Sequence, residues 1–370
     1  MTKIYEKVKI RAHKQLLAAV SSQEKTIPLH VRIEPTEICN LRCSFCWWHN
    51  PQRRSTFNNL SLSGREKLVT NRFLTLVDEL KAMGVQALSF TGAGDPLCHN
   101  GMEAVLGRVV DSELFWGITS NMGMPLSEQM IELLARAQWV RWSLNAGSSK
   151  GYREINRPRT KADKTFSLAC ENISRLHERR QQLDNPCTLT ASYILHNNSK
   201  DIVSAAELAS TLGADAIAYR PDTPVTRQET PSQFESSERD AMVEAKHRFD
   251  SEHFTVDIGD VRLGDVAPFP PNILCYYSNH STYIDARGDI YPCCYTRFDA
   301  KYVIGNIMEQ PFETLWWSKQ RLDNYRQLSM RYCPSCPHGR TNQILKDYYD
   351  GKIHIEKEEE GVLSESDYFI

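Results

Sequence analysis

The sequence predicts a parallel α/β fold, open or barrel-like, and three observations carry that expectation. Six short apolar runs recur between about residues 29 and 221: His30–Ile33, Ala87–Thr91, Trp116–Ser120, Val140–Leu144, Thr188–Leu195 and Ala216–Arg220. Each is bounded by polar or turn residues, as suits strands buried on both faces of a sheet. The stretches between them have helical periodicity, and strand–helix alternation repeated in this way is the pattern of a parallel sheet covered by helices.

Residues 1–28 read as a helical lead-in ending near Pro28. After the first run, Ser63 and Glu66 form a capping-box pattern ahead of Leu68, Phe73, Leu76, Val77, Leu80 and Met83, and Gly84 stands where that helix ends. Pro125 is placed to open a later helix containing Ile131, Leu133 and Leu134. A further helix runs from about Asp201 to Leu212 and stops at Gly213. Residues 29–222 therefore form one α/β core. Beyond it, 223–272 read as a polar linker followed by a helix over 236–250. Residues 273–340 form a Cys-rich unit with a hairpin at Ala286–Asp289, and 341–370 a charged, solvated tail.

A chain of 370 residues suits two domains or one large barrel with an appendage. A net charge of −2 provides no basic field that would draw the whole molecule onto nucleic acid or an anionic membrane. The apolar run Leu16–Val20 is too short for a signal-peptide core, and no apolar run approaches the roughly 18 residues of a membrane span. These features predict a cytoplasmic protein. In a reducing compartment, eleven cysteines more readily bind metal than form disulfides. Seven fall into two clusters. Of Cys98, Cys170, Cys187 and Cys294, the middle two read as small buried hydrophobes.

The first cluster is Cys39-Asn-Leu-Arg-Cys43-Ser-Phe-Cys46. Three thiolates on one tight loop after a strand suit an Fe–S cluster with one iron left open. They equally suit zinc, with His49 as fourth ligand, and spacing alone leaves both open. The second set comprises Cys275, Cys293, Cys333 and Cys336, with Gly288 five residues before Cys293. Four thiolates suit zinc or a cluster.

The C-x3-C-x2-C loop, with Phe45 ahead of its third Cys and a strand before it, resembles the signature of the radical S-adenosylmethionine (SAM) superfamily. The later segment, with its C-x12-G-x4-C stretch and closing C-x2-C, resembles the SPASM or "twitch" auxiliary-cluster domain. These resemblances imply a partial (β/α)6 TIM-like barrel with a small C-terminal Cys-rich domain. They imply a SAM-binding [4Fe–4S] cluster on Cys39, Cys43 and Cys46, and SAM chelated by its open iron. They also imply one auxiliary [4Fe–4S] cluster on Cys275, Cys293, Cys333 and Cys336, with Cys294 able to replace Cys293.

Thr91-Gly92-Ala-Gly94-Asp95 resembles the family's glycine-glycine-glutamate motif, with Asp in place of Glu. Ser120, Asn121, Ser143 and Asn145 resemble positions that bind SAM, and Phe45 one that packs near adenine. Arg153 resembles an Arg near the SAM carboxylate or substrate. The family's chemistry implies a deoxyadenosyl radical, formed with electrons from a flavodoxin or ferredoxin, that abstracts hydrogen. A fully ligated auxiliary cluster favours net oxidation. Only about 28 residues precede the first strand, which favours a small polar substrate over a peptide; peptide modification and a non-catalytic metal protein are the alternatives. His99, Tyr219 and Arg220 are further candidates at the barrel mouth.

Overall fold

The computed structural model describes residues 26–50, 63–184, 186–222, 234–258, 274–327 and 338–352. Cys333 and Cys336, most of the lead-in and the acidic run at 356–360 lie outside the described residues. Among the described residues, no helix is long and apolar enough to cross a membrane.

Seven parallel strands follow one another across the sheet: β1 (His30–Ile33), β2 (Ala87–Phe90), β3 (Phe115–Ser120), β4 (Trp139–Ser143), β5 (Thr188–Leu195), β6 (Ala216–Pro221) and β7 (Thr255–Asp257). Helices α1 (Thr70–Met83), α2 (Met102–Asp111), α3 (Glu128–Ala135), α4 (Ser149–Asn156), α5 (Ala162–Arg180), α6 (Ile202–Thr211) and α7 (Ser236–Phe249) lie between them. This is the expected partial TIM-like barrel, extended by one unit. The segment read as linker and helix contributes both α7 and the seventh strand.

The C-terminal unit joins the same sheet. Strand β8 (Ser281–Ile284) pairs in parallel with β1, Arg32 opposite Tyr283. It turns back through the expected hairpin into β9 (Asp289–Tyr291), which pairs with β10 (Gly305–Asn306). Helices α8 (Phe312–Trp316), α9 (Lys319–Gln327) and α10 (Gly339–Tyr349) complete it. The opening of the segment read as a solvated tail is thus part of a packed helix: Asn342 and Leu345 are fully buried.

Two helix starts differ from expectation. Ser63 and Glu66 hydrogen-bond side chain to side chain rather than capping α1. Their stretch is committed elsewhere, for Gly64 N donates to Glu37 Oε2 and Lys67 bridges Thr36. The helix begins later, at Thr70, where Val69 offers no side-chain cap. Helix α3 starts after Ser127, whose hydroxyl accepts from Met130 N, and not at Pro125. The stops are as expected, with Gly84 and Gly213 both at positive φ (93° and 78°), where glycine is unstrained.

A half-buried ion pair ties the strand-N-terminal side of the barrel together. The Arg180 guanidinium reaches both Asp215 oxygens (2.5 and 2.8 Å) and the carbonyls of Cys187 and Gly213, while Asp215 also accepts from Leu189 N. Removing the guanidinium leaves those acceptors unmatched, so Arg180→Ala is expected to cost about 2 kcal/mol. Urea denaturation followed by circular dichroism measures it; a change within 0.5 kcal/mol, roughly that of a neutral surface site, would refute the assignment.

Candidate functional site

The first Cys loop is held by its backbone. Helix α4 ends with carbonyls that have no partner inside the helix, and the loop supplies donors for them. Arg42 N donates to the carbonyls of Asn156 and Arg157, and Ser44 N to that of Ile155. Asn40 Nδ2 donates to Gly123 O at 2.8 Å. This grip places Cys39, Cys43 and Cys46 on the wall of a cavity of about 180 Å³ at the C-terminal ends of the strands, where such folds bind ligands. Burial pushes the Cys39 and Cys43 thiols well above their ordinary range, a cost that a cationic iron centre offsets by binding the thiolates.

The glycine-containing turn after β2 lines the same cavity, but its glycines serve a protein contact. A Cβ on Gly92 would stand 2.4 Å from the Glu34 side chain, and one on Gly94 2.3 Å from Ile38 O. Their absence lets the turn lie against residues 34–38, where Gly94 N and Asp95 N donate to the carbonyls of Thr36 and Ile38.

Asp95 lines the cavity as a brace. Its carboxylate accepts from Leu97 N, Ser120 Oγ, Asn121 N and Asn121 Nδ2, at 2.6 to 3.1 Å. Burial pushes the carboxyl up, and these donors oppose the shift. Asn121 Nδ2 also reaches Asn40 Oδ1 at 2.8 Å, so the ends of β2 and β3 and the Cys loop form one network.

Asn145 sits at φ 54°, a conformation Asn tolerates better than most residues. Its Oδ1 accepts from Ile194 N, joining the ends of β4 and β5. Ser143 and Phe45 also line the cavity.

Four candidates fall elsewhere. Arg153 is an exposed residue of α4 and does not line the cavity. The residue of α4 that does is Asn156, three positions on. It is fully buried, and among the described residues neither its Oδ1 nor its Nδ2 makes a hydrogen bond of full geometry. An amide left so in a cavity wall is costly unless a ligand completes it. His99 is buried against α1, bonded to Leu68 O and accepting from Gly101 N. Tyr219 is fully buried, its hydroxyl donating to Ile202 O at 2.7 Å. Arg220 pairs with Asp257 at 2.9 Å. Cys187 is a buried hydrophobe in the core, as expected, whereas Cys170 is only half-buried against it.

One pair beside the cavity is legible only in three dimensions. Ser192 and Ile194 of β5 line the cavity, and His196 follows one residue past the strand end, next to Phe45 of the cavity wall. His196 Nδ1 lies 2.8 Å from Asp222 Oδ2, just beyond β6, and its ring meets the edge of Phe45 with centroids 6.1 Å apart.

In the C-terminal unit, Cys275 is buried at the start of a short 3-10 turn (Tyr276–Asn279). Asn342 of α10 holds it, donating to its sulfur at 3.9 Å while accepting from Tyr277 N. His338, two residues past Cys336, stacks on Tyr277 at 3.8 Å, which brings the chain that follows the closing C-x2-C back beside Cys275. Cys293 and Cys294 follow β9.

The three-thiol loop and the uncompleted Asn156 amide fit a cluster-bound SAM. Comparison with known proteins agrees. The radical SAM superfamily model matches residues 33–209, and the model of an iron–sulfur cluster-binding domain, SPASM, matches 275–337. None of the curated proteins matches in sequence. Among solved structures the fold is similar to that of Streptococcus suis SuiB. The form bound to the precursor peptide SuiA gives a TM-score of 0.60 at 14% identity, covering 90% of this chain and 76% of that one. The SAM-bound form gives 0.59 at 16% identity, covering 90% and 78%. A third SuiB structure gives 0.57 at 15%, covering 83% and 69%. With its cluster loop on the first strand and its second Cys unit built onto the same sheet, the chain belongs to the radical SAM superfamily, as an enzyme that uses a [4Fe–4S] cluster and SAM and carries a SPASM auxiliary-cluster domain.

Proposed function

We propose that this enzyme oxidises a small polar substrate bearing a hydroxyl or amino group. The observation that carries the reading is the His196–Asp222 pair, whose imidazole meets Phe45 of the cavity wall. Removing hydrogen from a CH–OH or CH–NH group to leave a double bond releases a hydrogen atom, a proton and an electron. A His oriented by a carboxylate is a suitable proton acceptor.

Cys39, Cys43 and Cys46 would hold the first cluster, and Phe45, Ser143 and Asn156 would border SAM. When bound there, cluster and SAM supply a 5′-deoxyadenosyl radical that takes the hydrogen atom. The Asp95 network keeps the loop and strand ends fixed around them. Asp222 orients the imidazole, leaving Nε2 to accept the substrate proton. Cys275, Cys293, Cys333 and Cys336 would hold a single auxiliary cluster, which would supply an acceptor for the electron. Arg153, on the outer face of α4, would act by supporting the loop-holding helix. The external donor would be a cytoplasmic flavodoxin or ferredoxin.

A second reading, peptide modification, is favoured by the fold shared with peptide-bound SuiB. Reconstituted enzyme with SAM and dithionite, offered a polyol and aminocyclitol library and, separately, a peptide library, separates the two. The expected result is deoxyadenosine above the substrate-free rate and a product about 2 Da lighter, for two hydrogens removed, in the first library only. Such a product among the peptides alone would establish the second reading. Bound zinc with no deoxyadenosine from either would mean a non-catalytic metal protein.

A further inference from the structure

Strand β1 carries a charge from the core into the C-terminal unit. Its neighbours Val31 and Ile33 are fully buried, while Arg32 lies between them, opposite Tyr283 of β8. The Arg32 guanidinium donates through one nitrogen to Cys294 Sγ at 3.5 Å and through another to Tyr277 OH at 3.0 Å. Tyr277 belongs to the turn that begins at Cys275 and stacks on His338. Arg32 thus touches the Cys293–Cys294 corner and the Cys275 turn at once. A second guanidinium stands nearby: Arg297 donates to Tyr283 OH at 2.5 Å, and Tyr283 OH donates in turn to Glu34 Oε2. Arg297 also lies over the rings of Trp48 and Tyr283, at 5.0 and 4.9 Å.

We propose that Arg32 is a positioning residue of the auxiliary centre, fixing its Cys293–Cys294 corner to β1 and, by its charge, making that centre easier to reduce. Four thiolates on iron form an anionic group, and each added electron makes it more negative. A fixed positive charge a few ångströms away in a poorly solvated interior favours the reduced state. An electron acceptor needs this bias. The chain leaves β1 through Glu34 and reaches Cys39 of the first Cys loop six residues past Ile33.

The proposal rests on the reading that Cys275 and Cys293 help to hold an auxiliary cluster. Iron counting of the reconstituted wild-type chain tests that reading first, since about four irons rather than eight would refute it independently of Arg32. The test of Arg32 is an EPR-monitored redox titration of the wild type, Arg32→Gln and Arg32→Lys. Arg32→Gln is expected to shift the auxiliary reduction equilibrium about tenfold toward the oxidised form, 59 mV for one electron, with the first cluster unmoved. Arg32→Lys, which keeps the charge, is expected to titrate as the wild type. Loss of auxiliary iron alone in Arg32→Gln, restored in Arg32→Lys, would equally support the role. An unchanged auxiliary potential in Arg32→Gln overturns it. So does auxiliary iron lost in Arg32→Gln and not restored by Lys, or iron lost from both centres.

Discussion

Cys43→Ala is expected to reduce deoxyadenosine formation to background while leaving the fold intact. The two halves of that expectation rest on different atoms. The loop is held through backbone donors on either side of the residue, Arg42 N and Ser44 N, which meet the last carbonyls of α4. Removing the thiol leaves those bonds in place. The thiol itself is one of three on the cavity wall, and a cluster bound by three local thiolates has no spare ligand. Iron should fall by about four per chain, the content of one cubane, while circular dichroism is preserved. Retention of SAM cleavage by this variant would show that the first cluster is held elsewhere. Loss of helical signal would show that the thiol, and not the backbone, organises the loop.

Much of this site is legible in the sequence because strand ends are. A short apolar run between polar residues marks where a buried strand stops, and in a parallel sheet all such stops lie at one end. Cys39–Cys46, Gly92–Asp95, Ser120, Asn121, Ser143 and Asn145 each follow or end a strand legible in this way and resemble family positions there, and the structure gathers them around one cavity or its supporting network.

Whatever depends on direction within an element, or on which elements meet, is less legible. Arg153 and Asn156 lie on the same helix, and side-chain chemistry favours the Arg. The turn of the helix nevertheless faces Asn156 inward, beside the buried Tyr152 and Ile155. His99 follows β2 and Tyr219 lies in β6, yet their polar atoms are consumed by Leu68 O and Ile202 O. The parallel pairing of β8 with β1 joins residues some 250 positions apart, and no local pattern specifies it. The spacing of Ile344, Leu345 and Tyr348 suits a helix face, but the acidic run that follows gives the segment the composition of a solvated tail.

The His196–Asp222 pair is the part of the site with the most specific consequence. Neither residue belongs to a motif. They meet because β5 and β6 pair with Ile194 opposite Arg220 and Leu195 opposite Pro221, so the next residues along each strand end face one another. His196→Gln keeps a hydrogen-bonding side chain of similar reach but cannot accept a proton at neutral pH. Product formation is expected to fall about 10²- to 10⁴-fold, the usual worth of a positioned acid–base group. Deoxyadenosine formation should outlast it, since proton removal follows hydrogen abstraction.

Asp222→Asn should act in the same direction, because an amide neither fixes the imidazole tautomer nor stabilises the imidazolium. A purely structural clamp predicts something different: a lower melting temperature, with product and deoxyadenosine falling together. If product formation persists in His196→Gln, the proton goes to another group and His196 merely ties two strand ends together.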